Sequence, residues 1–146
     1  MFQHDYEQIE RMYQLFATCP DPNKREREGG WTIKQIVGHL VDSASNNHQR
    51  FLRYQSQGHF VFPGYDQNVC VSRAHYDSME FQSLLVLWYH YNRMLLHIIA
   101  HFPADDLAAS MLQIGERPAV PLQDLIHDYF AHMDKHAQQV KRIIAA

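Results

Sequence analysis

The sequence predicts an all-α four-helix bundle formed by one domain that covers residues 1–146. Four amphipathic segments of sixteen or more residues repeat apolar side chains at helical spacing, and glycine or proline separates them. No segment alternates apolar and polar residues convincingly, as a half-buried strand would. With 46% hydrophobic residues in 146, the chain has enough apolar surface to bury one core.

The first two helices are predicted from their ends and their apolar spacing. The first, residues 3–18, ends before a proline-rich turn. The second begins at a capping box, because Thr32 can cap the helix and Gln35 lies three residues later. Its apolar residues continue to about Gln57, and Gly58 ends it.

The third helix is predicted to begin at a second capping box, formed by Asp77 and Glu80. Its apolar stripe runs to Phe102, where a proline ends it. The long segment before it, residues 58–76, is rich in aromatic residues and is expected to be an ordered loop.

The fourth helix is expected to run from Pro121 to the C-terminus, because proline suits the first turn of a helix. Residues 103–120, which precede it, are expected to be irregular, with a short hairpin around Gly115.

Composition excludes several classes of function. A net charge of −3 with only 13 Lys and Arg argues against nucleic acid as a partner. No apolar run approaches the roughly 20 residues of a membrane span, and the N-terminus does not resemble a signal peptide, so a cytoplasmic protein is expected. Cys19 and Cys70 lie far apart and form no CxxC, so neither a disulfide framework nor a cysteine zinc site is indicated.

Eleven histidines are the unusual feature of the composition. His132 and His136 lie one turn apart on the fourth predicted helix, beside its apolar stripe, so their side chains share a face as paired metal ligands must. The alternative is a pair that hydrogen-bonds to neighbouring side chains. His97 and His101 have the same spacing on the third helix but lie opposite its apolar stripe, so they are expected to face solvent.

A third histidine ligand would have to come from another helix, and the second helix offers His39 and His48. A helical wheel places His48 nearer the apolar stripe and His39 on its flank. Spacing alone therefore leaves both residues open.

Three segments resemble the DinB superfamily, in particular its YfiT-like branch. The second helix carries WTxxQIxxHLxDS from Trp31, followed by Asn46 and Arg50-Phe51. The loop PGYDQ at residues 63–67 is similar to the family's Pro-Tyr-Asp-Glu segment, with an inserted glycine and Gln in place of Glu. The last helix carries YFAHxxxH from Tyr129. The similarity runs from about residue 30 to the end of the chain.

The resemblance implies a four-helix bundle that holds one divalent metal ion, zinc or nickel, through His39, His132 and His136. It also implies a small-molecule substrate and a homodimer. Members of the family are described as metal-dependent hydrolases or as transferases that act with low-molecular-weight thiols such as bacillithiol or mycothiol. Despite the family name, no DNA binding is implied.

Three neutral imidazoles leave at least one open position on a metal ion, as catalytic rather than structural zinc sites do. Such an ion can lower the pKa of bound water to about 7 or hold a thiol as its thiolate. Asp42, one turn after His39, could orient that histidine or act on bound water; the alternative is a surface or capping carboxylate.

Four further residues are weighed as neighbours of this site. Tyr65 and Asp66 could cover the site and contact substrate, or only anchor the loop that carries them. Asp128 and Asp134 are expected to lie off the face of the fourth helix that carries the two histidines.

A different class of function also fits the sequence. The chain could be a non-catalytic helical bundle that binds a small ligand or a protein partner, with a metal ion that is structural or absent. The aromatic residues of 58–76 and the six methionines would suit an adaptable pocket of this kind.

Overall fold

The computed structural model describes residues 2–146. Within this range the chain forms six α-helices and three short β-strands. In chain order the elements are α1 (Gln3–Ala17), α2 (Ile33–Arg53), β1 (His59–Phe62), α3 (Gln67–Ala74), α4 (Phe81–Ala100), α5 (Ala104–Ala109), β2 (Met111–Ile114), β3 (Val120–Pro121) and α6 (Leu122–Ala145).

The four long helices α1, α2, α4 and α6 form the bundle. Helix α2 packs against α4 and α6, and α1 packs against the same two helices. The core is made by the predicted apolar stripes, and its largest fully buried side chains include Phe16, Phe51, Trp88 and Leu95. In the part of the chain described, none of the helices combines the length and apolar character needed to cross a bilayer.

The start of α2 is the predicted capping box. The Thr32 hydroxyl accepts a hydrogen bond from the Gln35 backbone N–H at 3.1 Å, and the Gln35 side-chain carbonyl accepts one from the Thr32 N–H at 2.9 Å. The helix ends at Arg53, four residues before the predicted end, because Tyr54 is extended (φ −60°, ψ 157°). This start sets which α2 side chains face α6.

The predicted capping box at the start of the third long helix is wrong. Tyr76–Ser78 form a 3₁₀ turn, and α4 begins only at Phe81 after an N-cap at Glu80. A tertiary contact explains the difference: the Tyr76 ring is buried against the backbone of Gly38 on α2, so closely that a Cβ on Gly38 would lie 2.2 Å from it. This packing draws the segment onto α2.

A three-stranded sheet joins the two long connections of the bundle. The prediction of a four-helix bundle is therefore confirmed, but the fold as a whole is not all-α. Strand β1 pairs in parallel with β2, from His59 opposite Met111 to Phe62 opposite Ile114. Strand β2 pairs antiparallel with β3. The hairpin predicted around Gly115 is confirmed, and Gly115 has the positive φ (58°) that glycine tolerates. The strands are two to four residues long, which is too short for a periodic signal in the sequence.

Candidate metal centre

Helices α2 and α6 bring three imidazoles together. The Nε2 atoms of His39 and His132 lie 3.2 Å apart, and the Nε2 atoms of His132 and His136 also lie 3.2 Å apart. All three candidate ligand atoms lie within 4.8 Å of one another. His39, which the helical wheel placed on the flank of α2, is 1% exposed and faces α6.

Local structure explains why these rings meet. His132 and His136 are one turn apart on α6, so both rings project from one face. The indole of Trp31, just before the capped start of α2, packs on the His39 ring with centroids 4.8 Å apart and lies 6.5 Å from the His136 ring. Trp31 therefore closes one side of the cluster with an aromatic wall.

All three imidazoles are neutral at neutral pH. Burial lowers the pKa of His39 to about 3, and the neighbouring His136 and His132 lower it further. Burial, with His136 and Lys135, lowers the pKa of His132 to about 4. Burial also lowers the pKa of His136, although its hydrogen bond with Gln139 opposes this shift. Neutral imidazole is the form that binds a metal ion.

The three histidines fit a divalent cation. Nδ1 of His136 lies 2.8 Å from Oε1 of Gln139, a contact in which Nδ1 donates and the Nε2 lone pair stays free. Nδ1 of His39 is buried without a hydrogen-bond partner among the described residues. Zn–N bonds of about 2.0–2.1 Å in a tetrahedral site place ligand nitrogens about 3.3 Å apart. The two 3.2 Å separations observed here are close to that spacing.

A pocket of about 850 Å³ reaches this cluster at His132. Helices α2 and α6 form two of its sides, and the β2–β3 hairpin and the 63–67 loop form the others. Asp128, one turn before His132, lines the same pocket, so the expectation that it lies off the histidine face is wrong. Residues four apart on a helix differ by only about 40° in direction, which explains the shared side.

Asp42 lies beside the cluster without a hydrogen bond to it. Its Oδ1 accepts a hydrogen bond from the Tyr76 hydroxyl at 2.5 Å. Its Oδ2 is buried and has no partner among the described residues, and burial raises the pKa of the carboxyl. Within residues 2–146, no hydrogen bond joins Asp42 to His39.

The two loop residues have different positions. Tyr65 lines the pocket, as its predicted covering role requires. Asp66 is exposed and caps α3, where its carboxylate accepts hydrogen bonds from the backbone N–H groups of Asn68 and Val69 at 3.0 and 3.1 Å. Asp66 therefore anchors the loop.

The remaining histidines lie away from the cluster. Nδ1 of His48 lies 2.9 Å from the Tyr91 hydroxyl, so this histidine pairs with α4. His97 and His101 are exposed, as predicted, and His101 contacts the carbonyl of His97.

Sequence reasoning missed two cationic residues of the pocket, Arg50 and Arg117. Arg50 follows His39 by eleven residues, or three helical turns, and this spacing could have placed both on one face of α2. Arg117 lies in the hairpin, and no local pattern relates it to α2.

The fold and the site define a helical bundle with a candidate mononuclear metal centre made by three histidines. A sequence model of the DinB superfamily matches residues 4–140, and the chain belongs to this superfamily. The chain is 28% identical over 124 residues to a Bacillus pumilus (strain SAFR-032) protein named "Putative metal-dependent hydrolase"; the match covers 81% of this chain and 67% of the relative.

Among solved structures, the chain resembles YfiT from Bacillus subtilis, described as "a probable metal-dependent hydrolase with an unusual four-helix bundle topology". The TM-score is 0.77 at 16% identity, and the match covers 98% of this chain and 87% of YfiT. At this level of identity the likeness shows the shared fold.

Proposed function

We propose that this protein is a metal-dependent hydrolase that acts on a small molecule and holds one divalent ion through His39, His132 and His136. The observation that carries the proposal is the pocket of about 850 Å³ that reaches His132, because a closed structural site would have no such access. The name of the Bacillus pumilus relative supports the same class of reaction.

Imidazole ligands suit zinc, nickel, copper and ferrous iron alike, and we propose zinc or nickel because the resemblance to the DinB superfamily implies these ions. A divalent ion at this position would supply Lewis acidity and lower the pKa of a coordinated water to about 7. The protein's own contribution is to keep three imidazoles neutral, to shield one side with Trp31 and to present Asp128 on the pocket wall. We assign Asp128 the role of accepting a proton in the pocket, because it lies one turn from His132.

Transfer of a low-molecular-weight thiol is the second candidate reaction at the same site. Among the described residues, neither Cys19 nor Cys70 lines the pocket, so a thiol nucleophile would have to arrive as a substrate. A cobalt-substituted protein distinguishes the two reactions. A change in its visible spectrum on addition of a small thiol supports S-transfer, and an unchanged spectrum supports hydrolysis.

Metal analysis of protein purified without an affinity tag tests the metal site. We expect about one zinc or nickel ion per chain, and we expect His39→Ala and His132→Ala each to lose it. His48→Ala and His101→Ala are matched controls that should keep the ion, because both residues lie outside the cluster. A wild-type protein without bound metal, which takes up neither zinc nor nickel, would contradict the proposal.

Activity separates the enzyme from a non-catalytic bundle. The His132→Ala variant should lose hydrolysis of an ester panel while its melting temperature changes little, because the imidazole is half-buried at the edge of the pocket. A large loss of stability, with no activity in either form, would favour the non-catalytic alternative.

We also propose a homodimer. Helix α4 exposes three apolar side chains: Val86 at 37%, Leu87 at 45% and Met94 at 41% of their surface. Burial of these side chains against a second copy of the chain would stabilise a dimer through the hydrophobic effect. Light scattering should give twice the chain mass of 17.2 kDa. A monomer at high concentration would refute this assembly.

A further inference from the structure

The pocket contains a second chemical feature, a buried guanidinium. Arg50 on α2 lines the pocket but is only 7% exposed. A guanidinium has five N–H donors, and the side-chain hydrogen bond found for Arg50 is a long one, 3.4 Å from Nη1 to Oδ1 of Asn47. Most of its donors therefore have no acceptor within the described residues.

No carboxylate of the described chain neutralises Arg50. The two ion pairs found within residues 2–146 both lie outside the pocket. Glu116 and Asp128 also line the pocket, but they are exposed, and neither forms an ion pair with a pocket arginine among these residues. The Arg50 nitrogens are not among the buried unpaired atoms of the described residues, so its unpaired N–H groups are accessible from the pocket, where they can donate to an anion.

A second cation faces the same space. Arg117 lies in the hairpin between β2 and β3 and lines the same pocket. Burial lowers the pKa of Arg50; Tyr65 opposes this shift, and the positive charge of Arg117 adds to it. Two guanidiniums that line one pocket form a positive region that can bind an oxyanion through charge-assisted hydrogen bonds.

We propose that Arg50 and Arg117 bind an oxyanion, a carboxylate or a phosphate, at the end of the substrate remote from the histidines. The substrate is thus an elongated small molecule, because His39 and Arg50 lie eleven residues apart on α2, which places their Cα atoms about 16 Å apart along the helix. The role of this anion as part of a substrate rests on the proposed function, whereas its binding does not require the metal.

Binding measurements on the whole protein test this proposal. Wild-type protein in the presence of a chelator is titrated with succinate, with inorganic phosphate and with the neutral analogue succinamide, and amide NMR shifts are followed. We expect the two anions to bind and succinamide to fail. The stronger of the two identifies the anion as a carboxylate or a phosphate.

Three arginine variants locate the binding site. Arg50→Gln and Arg117→Gln should weaken anion binding by about tenfold or more, as expected for a lost charge-assisted hydrogen bond. Arg53→Gln is the matched control, because Arg53 is exposed one turn later on α2 and does not line the pocket. It should bind the anions like the wild type.

Three results would contradict the proposal. Wild-type protein that binds the anions no better than succinamide contradicts it, as does an Arg50→Gln variant that binds them normally. An equal loss in Arg53→Gln would indicate a nonspecific charge effect and also contradict it. If Arg50→Gln does not fold, the Arg117→Gln variant tests the proposal, because Arg117 is exposed and its replacement should not disturb folding. Weaker anion binding in Arg117→Gln supports the subsite, and normal anion binding refutes it.

The His132→Ala variant separates this proposal from the proposed function. Anion binding retained in His132→Ala, with metal binding lost, supports both the subsite and the metal site. A wild-type protein that binds the anions through Arg50 but takes up no metal would refute the metal-dependent function and leave the anion subsite intact.

Discussion

Metal binding at pH 6 should release almost no protons from His39 and His132. An ordinary imidazole with a pKa of 6.5 is about three-quarters protonated at pH 6, so three of them would release about two protons on metal binding. Here burial and mutual proximity lower the pKa of His39 to about 3 and that of His132 to about 4, and burial lowers the pKa of His136. His39 and His132 are therefore already deprotonated at pH 6.

The magnitude follows from these pKa values. At pH 6, His39 and His132 each hold about 0.01 proton or less, and a coordinated water with a pKa of about 7 contributes about 0.1. The total release should therefore lie well below the two protons that three ordinary imidazoles would release. For the same reason the affinity for zinc should change little between pH 7 and pH 6.

Isothermal titration calorimetry with zinc measures the release directly, when it is run at pH 6 in two buffers of different ionisation enthalpy. A difference between the two heats that corresponds to one proton or fewer supports the argument. The His101→Ala variant should behave like the wild type, because this histidine is exposed outside the cluster. A release of about two protons would refute the inference that the three imidazoles are neutral in the folded chain.

Three further predictions follow from the packing and the pocket. Gly38→Ala should lower the free energy of unfolding, measured in urea, by about 2 kcal/mol, because overpacking against the buried Tyr76 ring costs up to about 3 kcal/mol and the helix propensity of alanine offsets about 1 kcal/mol. Gly64→Ala is the control, because a Cβ at Gly64 would meet nothing within 4 Å. Equal stability of the two variants would contradict the close contact at Gly38. Metal-free protein should lose stability as the pH falls below 6.5, because the unfolded chain then protonates histidines that stay neutral in the folded chain. His39, whose folded pKa is about 3, contributes about 2 kcal/mol of this loss at pH 5. In urea titrations at pH 7 and pH 5, His39→Gln should therefore lose about 2 kcal/mol less than the wild type, and an equal loss in both proteins would contradict the low pKa of His39. Asp128→Asn should lower kcat by about a hundredfold, because it removes the proposed proton acceptor of the pocket. Asp134→Asn is the control and should leave kcat unchanged, because Asp134 does not line the pocket. Equal values of kcat in the two variants would show that Asp128 takes no part in the reaction.

The long helices could be predicted because their signals are local. A capping box such as Thr32 and Gln35 needs only residues three apart, and the structure contains it. The similar pattern at Asp77 and Glu80 failed because the Tyr76 ring packs on a distant helix and holds the segment in a 3₁₀ turn. The parallel pairing of β1 with β2 could not be predicted, since it joins residues about fifty positions apart.

The candidate site was only partly predictable for a related reason. An apolar stripe marks the side of α2 that packs in the hydrophobic core, whereas His39 is buried against other imidazoles and so lies off that stripe. The wheel therefore places His48 nearer the stripe and leaves both residues open, whereas in the structure His48 pairs with Tyr91. The family resemblance named His39 because it carries the pattern of a whole motif, and spacing within one helix does not.

Helices form one part of the pocket wall and a hairpin forms another, so the two parts can be changed separately. The three imidazoles belong to α2 and α6, whereas Arg117 belongs to the turn between β2 and β3. Turns tolerate insertion and replacement far better than packed helices do. Grafting a different β2–β3 turn should therefore alter which molecules the protein selects while the imidazole cluster keeps its spacing, which makes this turn the natural place to redesign the protein for a new ligand.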